Sequence, residues 1–474
     1  MVNKTLNRLF IDKNASIKDA IRIIDRGVLG IAFVVDSQKK LFGVVSDGEI
    51  RRAILRGVNI KNSIKTITNK KPIVIELGAG REEILRLRKR EEFKKKMQPA
   101  GSLKIPVLDG EGRVEDVMFL YDDAKKSIQS LDYKLKKDSK EIEQGLIKKV
   151  LLIGGAGYLG SVLSRKLLKE GYKVIVFDNL TYGDEGIAEI YKDKHFEFIK
   201  GDVRNISQTI EAIRGADAVI DLAAIVGDPA CALDPKETIE VNYLATKAIA
   251  EACKYNQINK FLFTSTCSVY GAGKNAKDRL HEESPLNPVS LYAETKLKSE
   301  DGILSLSDEN FSPTIFRFGT LYGVSPRMRF DLVVNTLTAR AVADKKITIF
   351  GGNQWRPNLE VSDAAGACLK WLQSPIIKSG NETFNVGGNS QNCKIIQIGE
   401  MVKNVIPDVE METKQEIDDP RDYNVSFDKI EKVLGFRPEK TIDQGIREMK
   451  ELLEGEKIKD FNHPVYSNCR FLSQ

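Results

Sequence analysis

The chain has 474 residues, 42% hydrophobic and 30% charged. That balance excludes a disordered or membrane-embedded protein, and the length exceeds one ordinary domain. No apolar run approaches the roughly 18 residues of a membrane span, and the polar start, Met1 to Asn14, lacks the apolar core of a signal peptide. Net charge is +6, divided as +10 over residues 1–147 and −4 over the remainder. The basic residues are interleaved with acidic ones and lack aromatic partners, so an anionic small ligand is expected rather than nucleic acid. Three widely separated histidines (His195, His281, His463) argue against a zinc site or a histidine triad, so no metal is expected. Six cysteines without a CxxC pair suit free thiols in a reducing compartment, and a cytoplasmic location is expected.

In chain order, Ser16–Arg26 reads as an amphipathic helix, Gly30–Asp36 and Lys40–Ser46 as strands, and Glu49–Arg56 as a second helix. A weaker copy follows, with Arg81–Lys96 as helix and Leu103–Asp109 and Gly112–Leu120 as strands. The charged stretch Asp122–Lys149 reads as a linker. From residue 148 strands and helices alternate: Lys149–Ile153, Lys173–Phe177, Phe196–Ile199, Ala218–Leu222, Lys260–Thr264 and Thr314–Phe318 are strands. Amphipathic helices include Lys236–Tyr255 and Ser290–Leu304. Such alternation predicts a parallel, doubly wound sheet. Beyond about residue 325 the pattern breaks into shorter pieces, as expected of a smaller substrate-covering region.

The segment Gly154-Gly155-Ala156-Gly157-Tyr158-Leu159-Gly160 directly follows a strand and opens a helix. Gly154 permits a tight turn, Gly157 lets backbone amides approach a pyrophosphate, and Gly160 lets the helix pack against the sheet. The helix N-terminus then offers unsatisfied N–H groups and a positive dipole end to the anion. The next strand ends in Asp178, 18 residues after Gly160, where a carboxylate can accept both ribose hydroxyls. That acid repels a 2′-phosphate and Asn179, not an arginine, follows it, so NAD is favoured over NADP. Gly201-Asp202-Val203, after the third strand, is expected to flank the adenine.

Tyr292 and Lys296, at i and i+4, share one face of a helix. A tyrosine near its free pKa of about 10 is a poor base at neutral pH, and an adjacent ammonium favours its phenolate. Thr264-Ser265-Thr266-Cys267-Ser268, after an apolar strand, can supply a hydroxyl to the same proton transfer.

These residues carry a resemblance. From Lys149 to about Leu453 the chain resembles the extended short-chain dehydrogenase/reductases of the nucleotide-sugar epimerase/dehydratase group, with GGAGYLG, DNL, GDV, VNYLAT, TSTCSVYG, YAETK and RPNLEVSDAA in the family's order. The resemblance implies a Rossmann domain, a retained NAD, and a catalytic set of Thr266, Tyr292 and Lys296. Its cofactor-binding positions fall on Gly154, Gly157, Tyr158, Leu159, Gly160, Asp178, Asn179, Asp202, Val203 and Ala223, together with Tyr292 and Lys296. It implies substrate contacts at Arg356 and Arg421, and more weakly at Arg329, whose guanidinium forks suit a diphosphate. A surface ion pair is the alternative for each.

Departures from the family pattern narrow the reaction. Where sugar 4,6-dehydratases carry Asp-Glu after the catalytic Thr, this chain has Cys267 and Ser268. A cysteine expected for 3,5-epimerisation is one step out of register, and Cys267 is expected to be packed rather than catalytic. Hydride chemistry alone remains, and C4 epimerisation of a nucleotide-diphospho-sugar fits it. Thr320 in place of a usual Asn, and Asp221 in place of a frequent His, leave the sugar and the reacting carbon open. A nucleotide-sugar oxidoreductase or dehydratase of the same family stays as an alternative, as does a non-catalytic nucleotide sensor.

Gly43–Leu55 (GVVSDGEIRRAIL) resembles the end of a cystathionine β-synthase-type (CBS) repeat, and IPVLDGEGRVEDVMFL the end of a degenerate second copy. The resemblance places Ser46 and Asp47 where an adenine nucleotide's ribose is held; a role in assembly alone is the alternative. The expected architecture is α/β: a Rossmann-type doubly wound parallel sheet with a smaller C-terminal substrate-binding region, preceded by an α+β CBS-pair domain. Its expected limits are 1–122 for the CBS pair, 123–147 for the linker and 148–474 for the enzyme, the last divided near 325. A homodimer is expected from the family.

Overall fold

A computed structural model describes residues 6–27, 30–79, 102–121, 128–130, 147–256, 258–271, 279–308, 311–415, 421–455 and 458–473. The chain divides into two compact units, Met1–Ile147 and Lys148–Gln474.

In the front unit, β1 (Phe10–Asp12), α1 (Ile17–Gly27), β2 (Ile31–Val35), β3 (Leu41–Ser46) and α2 (Asp47–Leu55) follow one another. The strands form a sheet in the order β1-β2-β3. Ile11, Ile17, Ala20, Val34, Val45 and Ile50 are buried together between this sheet and its helices. A second sheet has the order β4-β5-β6-β7, from Ile75–Glu76, Ser102–Leu108, Val114–Tyr121 and Ile128–Ser130. Leu41 N donates to Gly112 O at 3.0 Å, so the two halves meet through backbone. The helix expected over Arg81–Lys96 lies outside the described residues. Ile128–Ser130 falls within the stretch expected to be linker, yet it pairs antiparallel with Met118–Leu120. Charge and low apolar content concealed it, because an edge strand needs only one partner's backbone.

The second unit begins with β8 (Lys149–Ile153), α3 (Tyr158–Lys169), β9 (Lys173–Asp178), β10 (Phe196–Lys200), α4 (Ile206–Ile213) and β11 (Ala218–Asp221). It continues through α5 (Asp228–Leu233), α6 (Thr246–Tyr255), β12 (Lys260–Thr266), α7 (Leu291–Leu304), β13 (Thr314–Phe318) and β14 (Thr320–Tyr322). Then come α8 (Val333–Ala343), β15 (Lys346–Phe350), β16 (Trp355–Glu360), α9 (Val361–Gln373) and β17 (Glu382–Val386). The last are β18 (Asn392–Lys394), α10 (Ile395–Val405), β19 (Glu410–Lys414), α11 (Ile442–Glu454) and α12 (Asn468–Leu472). Seven strands form one parallel sheet in the order β10-β9-β8-β11-β12-β13-β17. The order reverses at β8, which places a crevice outside the carboxyl ends of β8 and β11. Strands buried on both faces need continuous apolar runs, and Val150–Ile153, Val174–Phe177 and Phe261–Phe263 supply them.

Two expectations need correction here. The sheet does not end near residue 325: β17 is its seventh strand, and α9 packs against α3, so the chain returns to the core after an excursion. Lys236–Tyr255 is not one regular helix. Pro235–Ile239 is α-helical, Glu240–Ala245 is a π-turn, and α6 follows. Within the turn, Asn242 is buried, and its carbonyl accepts the Ser299 hydroxyl of α7 at 2.7 Å. A widened turn exposes a carbonyl that a regular helix would consume.

Candidate active site

A cavity of about 720 Å³ opens at the carboxyl ends of these strands. Its floor is the glycine turn. Gly154 has φ +77° and donates from its amide to Phe177 O at 2.8 Å. A Cβ there would come within 2.7 Å of the Ala223 backbone. At Gly160 a Cβ would lie 2.6 Å from Gly155 Cα, so α3 can rest on the turn only if that residue is glycine. Gly157 is the N-cap of α3 and makes no side-chain cap. The residues therefore fit a dinucleotide: a close-approach cradle, an uncapped helix start, and a carboxylate at the end of β9.

That carboxylate, Asp178, already accepts Ala156 N at 3.0 Å and Leu180 N at 2.8 Å, and burial pushes its pKa up from the ordinary range. Leu159, Asn179, Val203 and Ala223 line the cavity. Tyr158 lines it too, but its hydroxyl donates to Gly323 O at 2.6 Å and accepts from Asn335, so it braces the following loop. Asp202 is not among the lining residues. Its carboxylate clasps Arg204 at 2.7 Å, and Arg204 reaches the cavity instead.

Thr266, Tyr292 and Lys296 converge on one wall of the same cavity. Thr266 ends β12, and Tyr292 lies in the first turn of α7. Burial is the main cause holding that phenol's pKa above its ordinary value. Lys296 is buried, donates to Thr264 O at 2.8 Å and lies 4.6 Å from the Phe263 ring centroid. Burial pulls its pKa down to about 8, against the opposing pull of Asp221. Asp221, fully buried at the end of β11, is pushed up to about 7 by burial, and its Oδ2 has no hydrogen-bond partner. The departure from histidine at this position thus sets a carboxylate against the lysine.

Ser290 fixes the start of α7. Its hydroxyl oxygen accepts Ala293 N at 3.3 Å and its proton goes to Asp228 at 2.7 Å. Asp228 also pairs with Arg421 at 2.8 Å. Arg356, buried on β16, donates to Trp355 O and Arg421 O and faces the Tyr423 ring. The Tyr423 hydroxyl shares a hydrogen bond with Ser268, which in turn accepts from Thr266 at 3.0 Å. Arg329 is buried and forks onto Asp331 at 2.8 and 3.1 Å. All three arginines line the cavity. Sequence reasoning missed Asp228, Tyr423, Arg204, Arg327 and Asn468. Only Asp228 left a local signal, an acid at a helix start after a glycine.

Cys267 is buried, its thiol donates to Arg317 O at 3.3 Å, and burial raises its pKa. In the front unit the Ser46 amide and hydroxyl both donate to Glu49, at 2.6 and 2.7 Å, which closes the start of α2; Asp47 is the first residue of that helix. Among the described residues no cluster of His, Cys, Asp or Glu could hold a metal, and no helix is long and apolar enough to cross a membrane.

Comparison with known proteins agrees with this geometry. The model of the NAD dependent epimerase/dehydratase family matches residues 150–387, and that of the CBS domain matches residues 5–56. The chain belongs to the NAD dependent epimerase/dehydratase family: it is an NAD-dependent enzyme with a CBS domain in front. A UDP-glucuronate 4-epimerase of Thermodesulfobacterium geofontis is 30% identical, over 63% of this chain and 93% of the relative. A UDP-glucose 4-epimerase of Lactobacillus helveticus is 28% identical, over 61% and 92%. The crystal structure of a UDP-glucuronic acid 4-epimerase from Bacillus cereus with UDP-glucuronic acid and NAD superposes with a TM-score of 0.59 at 26% identity, covering 65% of this chain and 99% of that one.

Proposed function

We propose that the enzyme epimerises a nucleotide-diphospho-sugar at C4. The observation that carries this reading is the convergence of Thr266, Tyr292 and Lys296 in a cavity that also holds the glycine turn and Arg329, Arg356 and Arg421. NAD, held by the glycine turn and Asp178, would supply a hydride acceptor that can return the hydride. Tyr292 takes the proton of the C4 hydroxyl as that carbon loses its hydride, leaving a 4-keto-sugar. Lys296, held cationic beside it, favours the phenolate, and Thr266 fixes the phenolic oxygen. Tyr292 would then return its proton to the C4 oxygen, and hydride added to the opposite face of that carbon would invert the centre with no net redox change.

The arginines suit the diphosphate, which leaves the sugar to turn about its anomeric linkage. Cys267 and Ser268 supply none of the acids that dehydration needs: the first is packed against backbone, the second bound between Thr266 and Tyr423. The relatives named for UDP-sugar 4-epimerisation support the same reaction and a UDP-linked substrate. The test is incubation of the purified protein with UDP-, GDP- and CDP-linked hexoses and hexuronic acids, with bound NAD measured after denaturation. Interconversion of C4 epimers without added cofactor is expected. Turnover that consumes added NAD(P)H or NAD(P), or loss of water from the sugar, would replace this reading.

A further inference from the structure

At the dinucleotide end of the cavity stands a cation that the proposed C4 chemistry does not use. Arg327 is only 6% exposed. A guanidinium buried this deeply is normally held by a carboxylate, yet none of the described residues gives it one. Its Nη2 donates to the Asn468 side-chain oxygen at 2.8 Å, and its Cζ lies 4.4 Å from the Tyr182 ring centroid. Its buried Nε has no hydrogen-bond partner, and neither has the buried hydroxyl of Tyr182. Two donors, one of them charged, thus lack an acceptor on one wall of one cavity. Buried donors are rarely left so without a ligand to satisfy them.

Their position indicates which ligand. Ser325 donates to Tyr158 O at 2.7 Å and shares a hydrogen bond with Ser161, which bolts this loop to the first turn of α3. A Cβ on Gly186 would lie 2.5 Å from Ala156 O and 3.0 Å from Arg327 Cβ, so one glycine separates the arginine from the glycine turn. The Arg327 charge also lowers the pKa of Asp178, against burial. Burial, and then the like charge of Arg329, pull the Arg327 pKa down to about 10, a cost that an anion would relieve.

The arm is held from outside the matched family region. Asn468, 4% exposed on α12, donates from its amide to Asp331 at 2.9 Å and from its side chain to Val226 O at 3.1 Å. Phe471 packs on Tyr182 at 5.6 Å between ring centroids. Asn468 and Leu472 line the cavity themselves.

We infer that Arg327 and Tyr182 form a diphosphate-binding arm for the dinucleotide, with Asn468 of α12 as its positioning residue. The nucleotide sugar also carries a diphosphate, but the arm's place one glycine away from the Ala156 turn commits it to the cofactor. The inference rests on NAD binding and is independent of which sugar carbon reacts.

The test uses the full chain stripped of nucleotide, with NAD, adenosine and UDP titrated by calorimetry into wild type, Arg327→Gln, Tyr182→Phe and Asn468→Ala. Arg327→Gln is expected to weaken NAD about ten- to a hundredfold, and Tyr182→Phe about three- to tenfold. Asn468→Ala is expected to fall between them, with adenosine and UDP affinities unchanged throughout. Weakened UDP with intact NAD would assign the arm to the substrate and overturn the inference. So would unchanged NAD affinity, or an equal loss for adenosine, which has no diphosphate and would report a purely structural role. Should Arg327→Gln not fold, Tyr182→Phe, which deletes one oxygen and keeps the ring, decides the question alone.

Discussion

The starts of α2 and α3 solve the same problem in opposite ways. Each leaves backbone N–H groups without intrahelical acceptors. At α2 the chain closes the gap itself, with Ser46 and Glu49 bonded to one another across the first turn. At α3 the cap is Gly157, which has no side chain to offer, and the turn before it is shaped by contacts only glycine tolerates. One helix start is finished by its own residues. The other has no side-chain cap, which leaves its amides suited to an anion. Motif resemblance drew attention to both, and the difference lies in where the polar groups find their partners.

The widest separation between the two regions is expected from Tyr292→Phe. It should lower kcat by roughly 10²- to 10⁴-fold, the range for loss of a positioned proton-transfer group, while bound NAD stays stoichiometric. Surviving turnover would remove the proposed mechanism. Next, Gly160→Ala forces a methyl into the Gly155 backbone, which should cost about 1–3 kcal/mol and reduce NAD content. Thermal unfolding monitored with and without added NAD checks it, and an unaltered protein would show that α3 does not need its close seat.

A subtler effect concerns pH. In the proposed mechanism Lys296 assists Tyr292 only while protonated. With its pKa pulled down to about 8, that charge is present below this value and lost as pH rises through it, so kcat should decline on the alkaline side. Asp221 opposes the burial, and Cys231 and Glu300 act in the same direction as Asp221. Asp221→Asn removes the largest of these charges and should move the alkaline limb to lower pH; an unmoved limb would deny the carboxylate any part in holding the lysine charged. The smallest effect is Ser46→Ala. It should cost about 0.5–2 kcal/mol of front-unit stability, as for a lost helix cap, with enzyme turnover unchanged. Loss of adenine-nucleotide binding without loss of stability would reverse the contrast between the two helix starts.

Much of the second unit was legible because its signals are local. Buried parallel strands demand continuous apolar runs, and the glycines, Asp178 and the Tyr292–Lys296 pair stand at fixed offsets along the chain. Thr266 was legible because it follows an apolar strand. The π-turn around Asn242 was not, since helical periodicity does not record which carbonyl a distant serine will use. The pairing of Asp202 with Arg204 was not legible for a similar reason: it appears only in three dimensions.

The sequence by itself determined the alternation of strands and helices, the glycine turn, the choice of NAD and the placing of Tyr292 and Lys296 on one helix face, because each depends on groups a few residues apart. The tertiary structure alone decided the return of β17 to the sheet, the opposition of Asp221 to Lys296 and the junction of Asn468 with Arg327. Those depend on segments far apart in the chain, brought together by burial of the core, and no local spacing encodes which polar group will then lack a partner.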